Sequence, residues 1–414
     1  MTTQVIDHRG GVWSIAVPIP DNPLGHTLVH LLETDRGPVL IDTGWDDPDS
    51  WDALVAGVAA CGFAVTDLHG VLITHHHPDH HGLSAKVRET SGAWIAMHAA
   101  DTAVVRRTRE AEPGRWRDYL LAKLAAAGAP DDHLAPLRTA RAQGSGRKPP
   151  GRRAALPDRG IEPGALLDLP GRRVRAIWTP GHTPGHVCLH LEEEHPGRAG
   201  NPVGRTANRG GTPANSGAAP ANAGERTGNP GGTSGSSGSG TSGSSSGGPS
   251  GRAPHGFGRL FSGDHLLPGI TPHIGLYEAP DDHGGPPCSN GGESLGDGTD
   301  PLGDYLDSLE RIGRLAPAEV LPAHQHAFTD AQGRVRELLA HHEERLSGLR
   351  ALLCEPRTPW QLAVAMEWNR PWEQIPYGSR TIAVSEAEAH LRRLVKLGQV
   401  ERVPGSDPAT YQAV

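Results

Sequence analysis

Thr74-His75-His76-His77-Pro78-Asp79-His80-His81-Gly82 packs five histidines and an aspartate into nine residues. Imidazole nitrogen together with carboxylate oxygen is the donor set that suits zinc and its first-row neighbours. Surface turns are ordinarily built from Gly, Asn, Asp or Ser, each for a backbone reason that imidazole does not share. The stretch therefore reads as a metal site of some kind. It follows the apolar run Val71-Leu72-Ile73, a short buried strand, and precedes Leu83 to Arg88, where a helix can begin.

Four other stretches carry candidate ligands, each at the C-terminal end of an expected strand. They are Leu40-Ile41-Asp42-Thr43-Gly44, Thr179-Pro180-Gly181-His182-Thr183-Pro184-Gly185-His186, Phe261-Ser262-Gly263-Asp264-His265 and Leu321-Pro322-Ala323-His324-Gln325-His326. Upstream, the runs at 12–17, 27–32 and 39–41 are separated by Pro, Asn and Gly and read as an antiparallel meander. A β-α-β alternation continues through a helix at 51–61, the strand before the histidine turn, and a strand at 93–97. One or two helices follow over 101–127, then strands at 174–178, 186–191 and 258–262. A helix at 302–315 and the strand Val320-Leu321 complete the first part, and a long amphipathic helix over 329–353 leads out of it.

Between about 197 and 252 the composition collapses to Gly, Ser, Pro, Asn, Ala and Thr. Such a tract has too little apolar surface to offset its ordering entropy, so a flexible coil is expected. Long surface insertions cost little free energy. The tract is therefore read as an enlarged hairpin turn inside one domain spanning 1–330. A basic loop at 140–153 and a Gly/Pro-rich loop at about 280–300 are further irregular segments. Residues 331–414 form a second unit: the long helix, helices at 359–368 and 385–397, and two short strands joined by a Gly/Asp/Pro turn, the pattern of a winged helix.

Composition narrows the function classes. A net charge of -8 gives no bulk reason for binding nucleic acid or an anionic membrane. No apolar run approaches the roughly 18 residues of a membrane span. Met1 to Asp7 has neither a basic n-region nor an apolar core, so no signal peptide is read there. Cys61, Cys188, Cys288 and Cys354 are scattered and form no C-x-x-C pair, as expected of reduced thiols in a cytoplasmic protein.

Together and in this order, the five stretches resemble the motifs of the metallo-β-lactamase fold over about residues 10–330. The C-terminal unit resembles the winged helix attached to one glyoxalase II-like branch of that superfamily, whose members include thioesterase-like hydrolases and an endoribonuclease. The resemblance implies an α/β architecture, a four-layer αββα sandwich followed by the small winged-helix domain. It also implies two divalent metal ions, zinc in the first place, with iron or manganese accepted by the same ligands. His75, His77 and His182 would hold one; Asp79, His80 and His324 the other; Asp264 would bridge them. Asp42 would orient the histidine turn through hydrogen bonds, and Asp79 would also be catalytic, orienting the nucleophile. The flavodiiron branch typically has Glu at the position of His77, so histidine there favours hydrolysis over redox chemistry. His273 and Tyr277 are candidates for the substrate pocket. His76 and His81 lie off the motif, and His98, His186, His265 and His326 are read either as structural histidines or as supporting contacts.

Three functions are compatible with this pattern. The first is a hydrolase that uses a metal-bridging hydroxide on a small-molecule ester or thioester. The alternative is a metal-dependent endoribonuclease of the same architecture, the one reading that requires a nucleic-acid partner. The third is a nucleic-acid-binding regulator with a vestigial enzyme domain, which the complete ligand set argues against. β-Lactamase activity is not expected, because most of the superfamily acts on other substrates. Oligomeric state and substrate identity are not written in the residues.

Overall fold

In a computed structural model, residues 3–111, 114–139, 154–193, 257–277 and 299–414 are described. The first sheet has seven strands in sequential order. They are β1 (Val5–Asp7), β2 (Val12–Pro18), β3 (His26–Thr34), β4 (Gly37–Ile41), β5 (Gly70–Leu72), β6 (Trp94–Met97) and β7 (Arg159–Gly160). β2 to β4 form the expected antiparallel meander, β1 adds an antiparallel edge to it, and β4 to β7 run parallel. The second sheet orders its strands β11-β10-β9-β8, namely β8 (Val174–Trp178), β9 (Val187–Leu191), β10 (Arg259–Gly263) and β11 (Glu319–Pro322).

The inner faces of the sheets share one apolar layer, with Val12, Leu32, Val39, Ile41 and Leu72 on one side and Val174, Val187, Leu189, Phe261 and Leu321 on the other. The outer face of the first sheet (Ile15, Leu31, Leu40, Val71, Ile95) is covered by Leu54 and Val58 of helix α1 (Pro48–Ala60) and by Val87. Two short helices lie in the histidine region, α2 (Pro78–His81) and α3 (Ser84–Ser91), which carries Val87; then come α4 (Ala99–Glu110), α5 (Arg115–Ala126) and α6 (Asp131–Thr139). The outer face of the second sheet, through Cys188, Leu260 and Val320, packs on Leu302, Tyr305, Leu309 and Ile312 of α7 (Pro301–Leu315) and on Val335 and Leu338 of α8 (Ala331–Ala351). Helix, sheet, sheet, helix is the expected four-layer sandwich.

β9 and β10 pair antiparallel with Leu191 opposite Arg259. The two ends that flank the Gly/Ser/Pro tract thus lie side by side, as an enlarged hairpin requires. The tract at 197–252 and the loops at 140–153 and about 280–298 lie outside the described residues.

Beyond α8 come α9 (Pro359–Ala365), α10 (Tyr377–Lys396) and an antiparallel pair, β12 (Val400–Arg402) and β13 (Tyr411–Ala413). α9 opens with a capping box between Thr358 and Gln361 and with Pro359 in its first turn. α10 begins eight residues before the expected start at Ser385. Gly378, Ser379, Thr381, Ile382 and Val384 are weak helix formers, so the sequence pattern begins late. The core of these helices is continuous with that of the sandwich: Leu124 of α5 and Leu134 of α6 belong to the same buried cluster as Trp360, Leu362, Val384, Leu391 and Tyr411.

Strand direction is what positions the site. β8, β10 and β11 share one direction, and β4 and β5 share one in the other sheet. The sheets are stitched together where the ligand loops leave them, Val187 N–H donating to Thr74 O at 2.9 Å and Leu28 N–H to Ala323 O at 2.6 Å. The histidine turn itself is packed against the loop after β4. A Cβ on Gly82 would run into Pro78 O and would meet Asp46 N at 2.6 Å and Gly44 O at 2.8 Å, all backbone atoms that cannot swing aside. Gly82→Ala is therefore expected to cost about 1–3 kcal/mol of stability through overpacking. Its denaturation midpoint should fall at unchanged m-value; an unchanged midpoint would show that the turn can yield.

Candidate metal centre

The seven residues singled out in sequence come together as two adjoining groups, His75, His77, His182 and Asp264 in one, and Asp79, His80 and His324 in the other, with donor atoms within 4.8 Å of one another in each. In the first, His77 Nδ1 lies 3.0 Å from both His75 Nε2 and His182 Nε2. Asp264 stands between the groups. Its Oδ2 is 3.9 Å from His75 Nε2 and 3.6 Å from His182 Nε2, while its Oδ1 is 3.4 Å from His80 Nε2 and 3.3 Å from His324 Nε2. Asp79 Oδ2 closes the second group at 3.5 Å from His80 Nε2 and 3.4 Å from His324 Nε2.

Which ring nitrogen faces inward is set by what the other nitrogen touches. His182 Nδ1–H donates to the His273 carbonyl at 2.7 Å, and His324 Nδ1–H to the His26 carbonyl at 3.0 Å. His80 Nδ1–H donates to Asp42 Oδ2 at 2.8 Å. The Thr74 hydroxyl donates to Asp42 Oδ2 at 2.9 Å, which leaves its oxygen to accept from His75 Nδ1–H at 3.1 Å. In the neutral imidazole each of these bonds places a lone pair on Nε2. Nitrogens aimed at one another with lone pairs repel unless a cation lies between them. His80 Nε2, His324 Nε2 and Asp264 Oδ1 are buried and make no well-formed hydrogen bond among the described residues. A buried polar atom without a partner is costly. Donor type, inward lone pairs and orphaned atoms all fit divalent cations.

The electrostatics divide the same way. Burial, then the neighbouring imidazoles, holds His75 and His77 well below the ordinary histidine range, in the neutral form that a metal ligand requires. Burial pulls His80 and His324 down too, but the Asp264 carboxylate, helped by Asp79, outweighs it and lifts His324 to about 10. Burial opposes ionisation of Asp264, yet His324 and His80 hold it far below the usual carboxylate range.

Asp42, to which the resemblance assigns an orienting role, lies beside the histidine turn. It ends β4 in a left-handed conformation, with φ 62°, unusual for a residue with a Cβ. There it accepts from Thr74 N–H at 2.8 Å as well as from Thr74 Oγ1 and His80. Asp101, by contrast, does not stand out in the sequence. Fully buried in the first turn of α4, it accepts from His76 N–H (2.8 Å), Thr183 Oγ1–H (2.8 Å) and Gly185 N–H (2.6 Å), with His76 Nδ1 at 3.0 Å. One carboxylate thus ties the loop of His75 and His77 to the loop of His182. Its only sequence signal is an acidic residue in a helix's first turn, which has an ordinary reading.

The remaining histidines sort themselves. His186 takes Asp264 N–H on its Nε2 at 3.2 Å and faces Thr179 Oγ1 at 2.8 Å with Nδ1, so it supports the residue between the two groups. His98 caps α4 and stacks on Trp178. His81 and His265 are buried, and His326 is exposed. Above the two groups lies a cavity of about 640 Å³, within the range of small-molecule sites. His273 and Tyr277 both line it as expected, with Tyr277 O–H donating to Asp304 Oδ2 at 3.1 Å.

Residues 22–195 match the family model of the metallo-beta-lactamase superfamily. A metallo-beta-lactamase family protein of Thermus thermophilus superposes with a TM-score of 0.64 at 25% identity, covering 99% of this chain and 100% of that one. A beta-lactamase domain protein of Burkholderia ambifaria gives 0.67 at 21% identity over 99% and 94%. Among curated proteins, the atrochrysone carboxyl ACP thioesterase of Aspergillus fumigatus is 29% identical over 176 residues, 42% of this chain and 29% of that protein. The hydroxyacylglutathione hydrolase of Acidiphilium cryptum is 29% identical over 141 residues, 34% of this chain and 37% of that one. The match thus spans well under half of each curated relative.

Asp101→Ala should lower affinity for Zn²⁺ by roughly 10–100-fold, the usual cost of losing a group that orients metal ligands. Competition against a chromophoric chelator reads this out. Wild-type affinity would remove Asp101 from the support of the centre.

Proposed function

We propose that this chain, a member of the metallo-β-lactamase superfamily, is a dinuclear metal-dependent hydrolase of small-molecule esters or thioesters. The observation that carries the reading is Asp264, one oxygen turned to each of two histidine groups at the floor of a cavity. His75, His77 and His182 would hold one divalent cation and Asp79, His80 and His324 the other, with Asp264 shared; Zn²⁺ suits the donors, and Fe or Mn is compatible with them. Cations in that position acidify water at neutral pH and polarise a carbonyl oxygen.

The chain's own residues supply the rest. Asp79 lines the cavity beside His80 and His324, where its carboxylate can orient a water and receive its proton. Asp42, Asp101 and His186 fix the ligands before substrate arrives, so little reorganisation is needed during reaction. An acyl substrate is supported by the names of the two curated relatives, a thioesterase and a hydroxyacylglutathione hydrolase. A cytoplasmic location is proposed with it; no described helix is long and apolar enough to cross a membrane.

The test is a panel of acyl-thioesters and oxygen esters beside single-stranded RNA, run on metal-replete protein with and without chelator. Thioester or ester turnover that chelator abolishes and Zn²⁺ restores is the expected result. His77→Ala should lose that turnover while keeping the wild-type circular dichroism spectrum. RNA cleavage without ester turnover would hand the assignment to the endoribonuclease alternative.

A further inference from the structure

The cavity is not built by the sandwich alone. Thr381, Ile382 and Ser385, from the N-terminal half of α10, line it together with Trp116 of α5. Ile382 is 51% exposed, a large aliphatic side chain on a helix that largely buries its apolar residues. Leu24, Trp45, Leu267 and Ile270 extend the apolar surface around the same space.

α10 is held where this wall requires it. Ser385 Oγ accepts from Leu276 N–H at 3.0 Å and from Lys123 Nζ at 3.2 Å, which joins the helix to the cavity loop and to α5. Glu386 faces His273 Nδ1 at 3.3 Å with one oxygen and Arg345 at 3.1 Å with the other. The His273 carbonyl is the group that takes Nδ1–H of His182. The wall and the metal cluster are therefore fixed to one another through a single loop. Of the basic residues of α10, Arg380 lies over the Trp372 ring, and the others sit at the far end and are engaged there: Arg393 and Lys396 lie 2.9 and 3.7 Å from Asp300 Oδ2, and Arg392 donates to Thr299. The three residues of α10 that line the cavity carry apolar and hydroxyl groups.

We propose that α10 is the specificity wall of the active site and that Ile382 selects substrates with an extended apolar acyl group. This rests on the hydrolase reading and adds the substrate class to it. An acyl chain laid along Ile382 and Trp116 removes apolar surface from water on both sides. Thr381, Ile382, Ser385 and Trp116 carry no charge themselves, and Arg107 also lines the cavity. Nucleic-acid contact by the C-terminal unit is not needed to account for its helix.

The experiment compares wild type with Ile382→Asp and Ile382→Ala on acetyl, butyryl and octanoyl thioesters of one small thiol. Calorimetry adds the binding of octanoate and of acetate to the same proteins. In the wild type kcat/KM should rise from acetyl to octanoyl. In Ile382→Asp the octanoyl-to-acetyl ratio should fall by at least about tenfold, the scale of losing one buried aliphatic contact. Ile382→Ala should lie between, and octanoate affinity should fall in the same order. An unchanged ratio in active variants would overturn the wall while leaving the hydrolase standing. A wild type inactive on every thioester and ester would overturn the hydrolase, and octanoate binding then judges the wall: equal affinity in all three proteins rejects it.

Discussion

The site depends on a constraint that is expensive to meet: five imidazoles must each present a lone pair inward, and proteins do not leave buried lone pairs facing one another by accident. The chain meets it from outside. Carbonyls of His26 and His273, the Asp42 carboxylate and the Thr74 hydroxyl each take the outer Nδ1–H of one ring and so settle its tautomer. None of those four groups belongs to the ligand sets. The cluster is thus arranged before any cation is considered: His75 and His77 are held neutral, while the Asp264 and Asp79 carboxylates favour positive charge beside His80 and His324.

Two buried carboxylates, Asp42 and Asp101, brace the ligand loops from outside, and their legibility differs for a physical reason. Asp42 follows a strand in one of the stretches that carry the family resemblance, which is what marks it, and its left-handed backbone aims it at the histidine turn. Asp101 looks like any acidic residue that complements a helix dipole. Its four contacts come from residues 76, 183 and 185, and no local pattern announces a pairing across such separations. His186 falls between these cases: its place beside His182 marks it, but only the fold shows that its partner is the backbone of Asp264.

The architecture is readable wherever apolar runs meet strong punctuation. β2 to β6, β8 to β11, α7 and α8 fall close to where periodicity puts them. β1 and the two-residue β7 do not stand out, because strands so short and exposed carry almost no pattern. The early start of α10 escapes for another reason, since tertiary packing there overrides weak helix propensity. That first stretch of α10 is also the part that reaches the cavity.

The connections follow from where each chain segment enters and leaves. β9 and β10 are neighbours in the sheet, so the segment joining them need only return to its starting point, and its length adds little entropy cost. The segment after β10 is in the opposite position. Asp264 must sit between the histidine groups, His273 must offer its carbonyl to His182, and Leu276 must reach Ser385 on α10, all within thirteen residues. A loop with so many fixed points cannot drift without moving a ligand. The same loop lines the cavity through Leu267, Ile270 and His273. A change of substrate wall that displaced its backbone would disturb the metal cluster, whereas a change at Ile382 on α10 would not. Confining variation to the helix lets that side of the cavity be altered while the geometry of the ligand cluster stays fixed.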